Sequence, residues 1–305
     1  MKGRSCSLEN LYFQRKKMRC FLAALLLLFL ACKDKHPKTV DTDKPVVVTD
    51  TVPKVPVDSV DMYETDCYDS FFASGEKLKD TAAITVSPAG YPTMKLKKYI
   101  REVLMEGYVN ICFKDMDNDG KKEMVIFNYT GGMHCCDEFY VYEETAPGKY
   151  VQKVKLFAGT TCVNTNNEFT FSVYELLGYF YTCYACLYVD SAKGLVDPLP
   201  VVYKYQKGKL VLAGDTAAIN QSALKNLELL KQVKMNPLKE DWDDSGVRKM
   251  YALNFATWHL THGNNYTITK ALFDQYYTAK DKNKVWKELK ESLEVMEEEN
   301  TFIQK

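Results

Sequence analysis

Residues 109–129 read VNICFKDMDNDGKKEMVIFNY, two apolar segments separated by a loop rich in aspartate. Val109–Phe113 alternates between apolar and polar side chains, a pattern that predicts a half-buried strand. Residues 124–129 form a nearly continuous apolar run, which is typical of a strand buried on both faces of a sheet. The spacing therefore predicts a strand–loop–strand unit.

The loop between the two strands carries oxygen atoms at alternating positions, the pattern that a hard cation requires. Ca²⁺ takes six to eight oxygen ligands at about 2.3–2.6 Å, and Gly120 permits the tight turn that folds the chain around it. Four carboxylates within nine residues would repel one another without a cation, which favours Ca²⁺ as a cofactor. The alternative is a solvated acidic turn. The predicted ligands are Asp115, Asp117, Asp119, Glu123 and the backbone carbonyl of Lys121.

The loop fits the EF-hand template poorly. Ile126 stands at loop position 12, where an EF-hand has glutamate, and the flanking segments alternate as strands and not as helices. The spacing resembles instead the aspartate-rich calcium loops of FG-GAP and VCBS-type repeats, which lie between two β-strands. Those families build propellers from several repeats, whereas this chain has one such loop, so the resemblance implies the calcium loop and not the propeller.

The segment GGMHCC at residues 131–136 follows the second strand directly. Together with the loop, it resembles a group of uncharacterised exported bacterial proteins that carry a Gly-Gly-x-His-Cys-Cys segment, a likeness that implies no known activity. His134 is a candidate functional residue because it lies in a loop beside the predicted metal-binding turn.

The cysteines predict disulfide bonds if the protein is exported, because exported chains meet oxidising conditions. Cys112 lies within the first strand, and we expect it to be free and buried. Adjacent cysteines at 135 and 136 favour two separate partners, with Cys162 and either Cys183 or Cys186 as candidates. A redox pair at 183 and 186, or zinc bound with His134, are the alternatives. The disulfide candidates are Cys67, Cys135, Cys136, Cys162, Cys183 and Cys186.

The N-terminal residues look like processing signals. Residues 1–17 form a tag-like or upstream extension, since ENLYFQ at residues 9–14 resembles the recognition sequence of a viral protease used to remove purification tags. Residues 18–31 form a predicted lipoprotein signal peptide whose apolar run is too short to span a bilayer. The boundary FLAC at 29–32 resembles the bacterial lipobox, which implies lipidation of Cys32; a plain secretory signal cleaved near Ala31 is the alternative.

The remaining chain divides into three predicted regions. Residues 32–62 contain four prolines and no aromatic residue, which predicts a disordered tether. Residues 63–216 predict an antiparallel β-rich domain, including strands at 169–174 and 179–189, with one helix near residues 95–106. Residues 217–305 have helical periodicity, with Asp244 or Ser245 capping a helix that runs to His262. A later helix at 284–299 has Trp286, Leu289, Leu293 and Met296 on one apolar stripe. The fold class is therefore α+β, with a β-rich part first and a helical part last.

Charge and motifs limit the functional classes. The chain has 40 basic and 40 acidic side chains, but residues 32–305 carry a net charge of −5. Such a surface lacks the positive charge that binding to nucleic acid requires. We expect a bacterial cell-envelope lipoprotein that is attached to a membrane through its lipid. One structural calcium ion would support binding or scaffolding of a protein or glycan ligand. The alternative is an envelope hydrolase, or an inhibitor of one, that uses the cleft around Asp115–Cys136.

Overall fold

The structure is a computed structural model, and it confirms the α+β class. It describes residues 65–77, 82–104, 109–130, 137–157, 160–243 and 245–300, with only the backbone of 65–69 and 160–162. The tag-like extension, the signal peptide, Cys32, the predicted tether, His134, Cys135 and Cys136 lie outside the described residues.

Strands come first in the chain and long helices come last. The strands are β1 (Glu76–Lys77), β2 (Thr85–Ser87), β3 (Met94–Lys95), β4 (Val109–Lys114), β5 (Glu123–Tyr129), β6 (Asp137–Ala146), β7 (Lys149–Phe157), β8 (Thr160–Val163), β9 (Glu168–Phe171), β10 (Val201–Gln206) and β11 (Lys209–Ala213). The helices are α1 (Thr65–Ser74), α2 (Leu96–Glu102), α3 (Tyr174–Leu177), α4 (Thr216–Leu230), α5 (Val247–Thr261), α6 (Tyr266–Tyr276) and α7 (Lys282–Glu299).

The strands form two sheets. The first sheet has the order β1-β4-β5-β6-β7-β2-β3, and the second has the order β11-β10-β9-β8. Neighbouring strands are antiparallel throughout, with the exception of β2 and β7, which pair in parallel. The predicted β-rich part is thus confirmed. Its first sheet is mixed and not purely antiparallel, because β2 and β7 pair in parallel through a connection longer than a hairpin.

The first sheet is buried on both faces, which explains the continuous apolar run of β5. Met124 and Ile126 face a smaller core that α2 covers, whereas Val125 faces the main core. Strand β6 alternates in the same way, with Tyr140 and Tyr142 on the side of the smaller core. Strand β5 of the predicted strand–loop–strand unit therefore lies between two cores.

The main core continues from the first sheet into the second sheet and the helices. Helix α5 is buried on nearly all sides, and its residues Met250, Leu253 and Phe255 are inaccessible to solvent. Leu289 and Leu293 of α7 lie on the predicted apolar stripe and are buried in the same core. Because strands and helices share this core, we expect them to unfold together.

The strand predicted at residues 179–189 is wrong, and the predicted strand at 169–174 ends at Phe171, before α3. Residues 179–189 are irregular, and two of their carbonyls bind a buried ammonium group. Lys249 Nζ donates to the carbonyls of Gly178, Cys183 and Tyr184 at 2.9, 3.2 and 2.5 Å. Burial lowers the pKa of Lys249 to about 8. Peptide carbonyls that bind an ammonium group are not available to a strand partner.

The start of α5 differs from the prediction in part. Its N-cap residue is Gly246. Asp243 accepts the backbone N–H of Arg248 at 3.0 Å, and the predicted cap Ser245 accepts that of Val247 at 3.4 Å. Asp243 also accepts the N–H and the hydroxyl of Ser245 at 3.0 and 2.5 Å. Burial raises the pKa of Asp243, but these hydrogen bonds outweigh burial and hold that pKa below its ordinary value. Asp244, the other predicted cap, lies outside the described residues.

We predict that Asp243→Asn lowers the free energy of unfolding by about 3 kcal/mol at pH 7, because it leaves the buried Arg248 with one fewer countercharge. The matched control is Asp241→Asn, two residues earlier, where an exposed carboxylate pairs with Lys284; it should change stability by less than about 0.5 kcal/mol.

Urea unfolding of the two variants and the wild type measures this difference. Because the folded-state pKa of Asp243 is depressed, its contribution is present above the ordinary carboxyl pKa and is lost as the pH falls through the folded-state value. The effect of Asp243→Asn should therefore shrink below about pH 4. Equal effects of the two substitutions at pH 7 would contradict the role of Asp243 in holding Arg248 and the first turn of α5.

Candidate metal centre

The aspartate-rich loop closes the hairpin between β4 and β5. Lys114 pairs with Glu123 as the last residues of the ladder, so Asp115 leaves the sheet directly opposite the start of β5. Strand pairing thereby brings together the two ends of an eight-residue loop. The first predicted ligand and the last one lie side by side for that reason.

Three carboxylates converge in this loop. One oxygen from each of Asp115, Asp117 and Glu123 lies within 4.8 Å of the other two. Glu123 is buried, with 4% of its surface exposed, and the two aspartates are half-buried. This cluster could hold a metal ion, since hard cations bind carboxylate oxygens at such spacings.

Backbone amides orient these carboxylates. The N–H groups of Asp119 and Gly120 donate to the two oxygens of Asp115 at 3.1 and 2.9 Å. The N–H of Met116 donates to Glu123 Oε2 at 2.8 Å. Gly120 has φ +88°, a left-handed conformation that glycine adopts without steric cost. The loop is therefore folded around its acidic side chains.

Burial and like charges act against ionisation of Glu123. Burial raises its pKa to about 7, and the charges of Asp117 and Asp119 add to this effect. The hydrogen bond from Met116 N acts in the opposite direction. The cluster thus holds negative charge in partly dehydrated surroundings, which bound cations compensate.

One oxygen of the cluster is left without a hydrogen-bond donor. Asp117 Oδ2 accepts the backbone N–H of Lys207 at 2.8 Å. Asp117 Oδ1 is buried and finds no hydrogen-bond partner within the described part of the chain. A buried carboxylate oxygen without a donor is costly unless a positive ion neutralises it, so the residues present fit a bound cation.

The hairpin turns of the second sheet contact the loop. The sequence did not predict these contacts. Asn167, in the turn between β8 and β9, donates from Nδ2 to the carbonyls of Asp115 and Met116 at 2.9 and 3.3 Å. Lys207 belongs to the turn between β10 and β11 and donates to Asp117 as described above. The glycine and asparagine residues of both turns indicate chain reversals, but nothing local in the sequence links them to loop residues 51–90 positions away.

The five predicted metal ligands are only partly brought together. Asp119 is exposed, accepts the N–H of Lys121 at 2.8 Å and is not among the three clustered carboxylates. Lys121 is exposed, as expected for a residue that would offer only its carbonyl. The roles of Asp119 and Lys121 as ligands stay predictions.

The cysteines differ from expectation in one pairing. Cys183 and Cys186 are both in a disulfide, as predicted, but they pair with each other, as the redox alternative implied, because the turn they occupy brings their Cα atoms to 5.1 Å. Cys112 is free and buried, as predicted, and burial raises the pKa of its thiol to about 12. The structure places Cys67 in α1 and Cys162 in β8 by their backbone alone.

Comparison of the chain with models of protein families, with curated proteins and with solved structures found no match. Within the described residues, no helix has both the length and the apolar character needed to cross a bilayer. Inference about function therefore depends on the site itself.

We predict opposite effects of Asp117→Asn with and without a divalent cation. In chelator the variant should be more stable than wild type by about 1 kcal/mol, since one of three repelling charges is gone while an oxygen remains for Lys207 N. With the cation at ten times its dissociation constant, wild type should gain about 1.4 kcal/mol and the variant little.

Thermal and urea unfolding in chelator and in millimolar divalent cation measure these stabilities. The matched control is Asp274→Asn on α6, an exposed carboxylate paired with Lys270 and Lys282. It should respond to the cation as wild type does. A wild-type stability that is identical in chelator and in cation would contradict the metal centre.

Proposed function

We propose that this protein is a calcium-stabilised lipoprotein of the bacterial cell envelope with a binding or scaffolding role. The observation that carries the proposal is the group of three carboxylates, Asp115, Asp117 and Glu123. One buried oxygen of Asp117 in this group accepts no hydrogen bond from the described residues. The predicted lipid anchor at Cys32 supplies the location, and the folded residues supply the binding surface.

Calcium suits this donor set better than the other common hard cation. Ca²⁺ accepts six to eight oxygens in a flexible arrangement, whereas Mg²⁺ demands a near-octahedral shell and retains its waters. Glu123 is almost fully buried and Asp115 and Asp117 are half-buried, so the site favours a cation that dehydrates readily. Calcium sites of extracellular modules have dissociation constants of about 10⁻⁴–10⁻³ M, the range we expect here.

The role of the ion is structural. Its ligands lie at a hairpin end that both turns of the second sheet contact, so neutralising them stabilises the junction of the two sheets. A ligand that binds only the folded state stabilises that state in proportion to the logarithm of its free concentration. An envelope protein that meets calcium continuously would therefore hold its binding surface in one arrangement.

Exposed aromatic side chains support a binding role. Tyr179 and Trp242 have 66% and 45% of their surfaces exposed. Their segments adjoin, since Asp243 N donates to the carbonyl of Tyr181 at 2.7 Å. Aromatic rings supply large contact areas at low entropic cost, and a protein or glycan ligand could use them. The alternative, a hydrolase or an inhibitor of one, depends on His134 and stays a prediction because that residue lies outside the described residues.

We predict that the full chain, purified in non-ionic detergent, binds one Ca²⁺ per molecule and binds Mg²⁺ at least about tenfold more weakly. Isothermal titration after removal of bound metal with chelator measures both affinities. Asp115→Asn should weaken calcium binding, whereas Asp274→Asn should not. Absence of binding heat in wild type, or equal affinity for the two ions, would refute a calcium site.

The lipid anchor predicts that Cys32→Ser abolishes incorporation of radiolabelled palmitate and moves the protein from the membrane fraction to the soluble fraction. The matched control is Cys20→Ser, the same substitution inside the apolar run of the signal peptide, which should leave labelling unchanged. Fractionation of bacteria that express each variant provides the measurement. Unlabelled wild-type protein in the soluble fraction would remove the envelope assignment.

A further inference from the structure

Asn167 contacts the backbone of the acidic loop although it belongs to a turn of the second sheet. It ends the turn between β8 and β9, has φ +61° and is 7% exposed. Its Nδ2 donates to the backbone carbonyls of Asp115 and Met116, the first two residues of the loop. The turn thus places a carboxamide against the segment from which Asp115 and Asp117 extend.

The oxygen of this carboxamide has no hydrogen-bond donor in the described part of the chain. Asn167 Oδ1 is buried and accepts no hydrogen bond from the residues that the structure describes. It is bonded to the same carbon as Nδ2, so it stays close to the loop while pointing away from the carbonyls of Asp115 and Met116. Rotating the amide by half a turn would not help, because the oxygen would then face the carbonyls of Asp115 and Met116. A buried amide oxygen without a donor costs free energy that a ligand can recover.

The carboxylate cluster is short of oxygen atoms. Asp115, Asp117 and Glu123 each already accept at least one backbone N–H, and Asp119 lies outside the cluster. A calcium ion needs six to eight oxygens, and its usual protein ligands include the side-chain carbonyl of asparagine. Two donor-free buried oxygens, Asp117 Oδ1 and Asn167 Oδ1, adjoin the same loop.

We infer that Asn167 is a further ligand of the cation site and offers its Oδ1 to the ion held by the loop. This inference rests on the proposed calcium site and extends it. The ion then binds side chains from both sheets: the carboxylates at the β4–β5 hairpin and a neutral oxygen at the β8–β9 turn. A donor set completed from a second sheet makes calcium binding dependent on the folded junction and not on the loop alone.

Two substitutions at this position separate ligation from simple support of the loop. Asn167→Asp keeps a ligand oxygen and removes the donor to Asp115 O and Met116 O. Asn167→Gly removes both functions and tolerates the positive φ. The matched control is Asn166→Ala, which alters the adjacent, exposed residue of the same turn.

Calcium titration of the full chain in detergent, together with the change in melting temperature between Ca²⁺ and EGTA, tests the inference. Asn167→Gly should weaken calcium binding by about tenfold or more, Asn167→Asp should bind at least as tightly as wild type, and Asn166→Ala should match wild type. Each variant is its own reference in EGTA, so loss of stability alone does not imitate loss of binding.

Equal weakening in Asn167→Asp and Asn167→Gly would overturn ligation by Oδ1, since only the lost donor is common to both. Wild-type affinity in Asn167→Gly would overturn it as well. Both results leave the proposed calcium site in place. If wild type itself binds no calcium, the proposed function fails, and that outcome is distinguished by the first titration.

Discussion

Repulsion among three carboxylates at the end of one hairpin is the constraint on which this structure depends. One oxygen from each carboxylate lies within 4.8 Å of the other two, and burial together with the charges of Asp117 and Asp119 raises the pKa of Glu123 to about 7, so ionising all three is costly. Backbone N–H groups from Met116, Gly120 and Lys207 offset part of this cost. The buried oxygen of Asp117 shows where compensation is incomplete, and a divalent cation would supply it.

The same hairpin joins the two sheets, so its electrostatics affect more than the loop. Turns of the second sheet contact it from the β8–β9 side and from the β10–β11 side. A second polar contact lies farther along this junction, where Tyr205 OH donates to Glu143 Oε1 at 2.7 Å and Lys153 Nζ pairs with Glu143 at 3.2 Å. The apolar core provides most of the burial between the sheets, whereas these contacts specify how the turns are placed.

Residue spacing predicted the elements whose buried face is defined by their own sequence. It failed where contacts with residues distant in the sequence determine the structure. Strands β4 and β5, the loop between them and the apolar stripe of α7 follow from residue spacing, because each buries a face that its own sequence defines. Residues 179–189 were expected to form a strand, but they are irregular, and the carbonyls of Cys183 and Tyr184 bind the buried Lys249. Asn167 could not be assigned to the site from sequence, since its turn resembles any other chain reversal and the loop is far away along the chain.

A cation at the loop would hold the turns of the second sheet in place, because the Lys207 turn contacts Asp117 directly. Hydrogen–deuterium exchange of the full chain, compared in Ca²⁺ and in EGTA, tests this most directly at the amide of Lys207, which donates to Asp117. Slower exchange in calcium for peptides that contain Lys207 and for those that span the loop is the predicted result. If titration shows that calcium binds and the Lys207 amide nevertheless exchanges at the same rate in Ca²⁺ and in EGTA, the cation does not hold these turns.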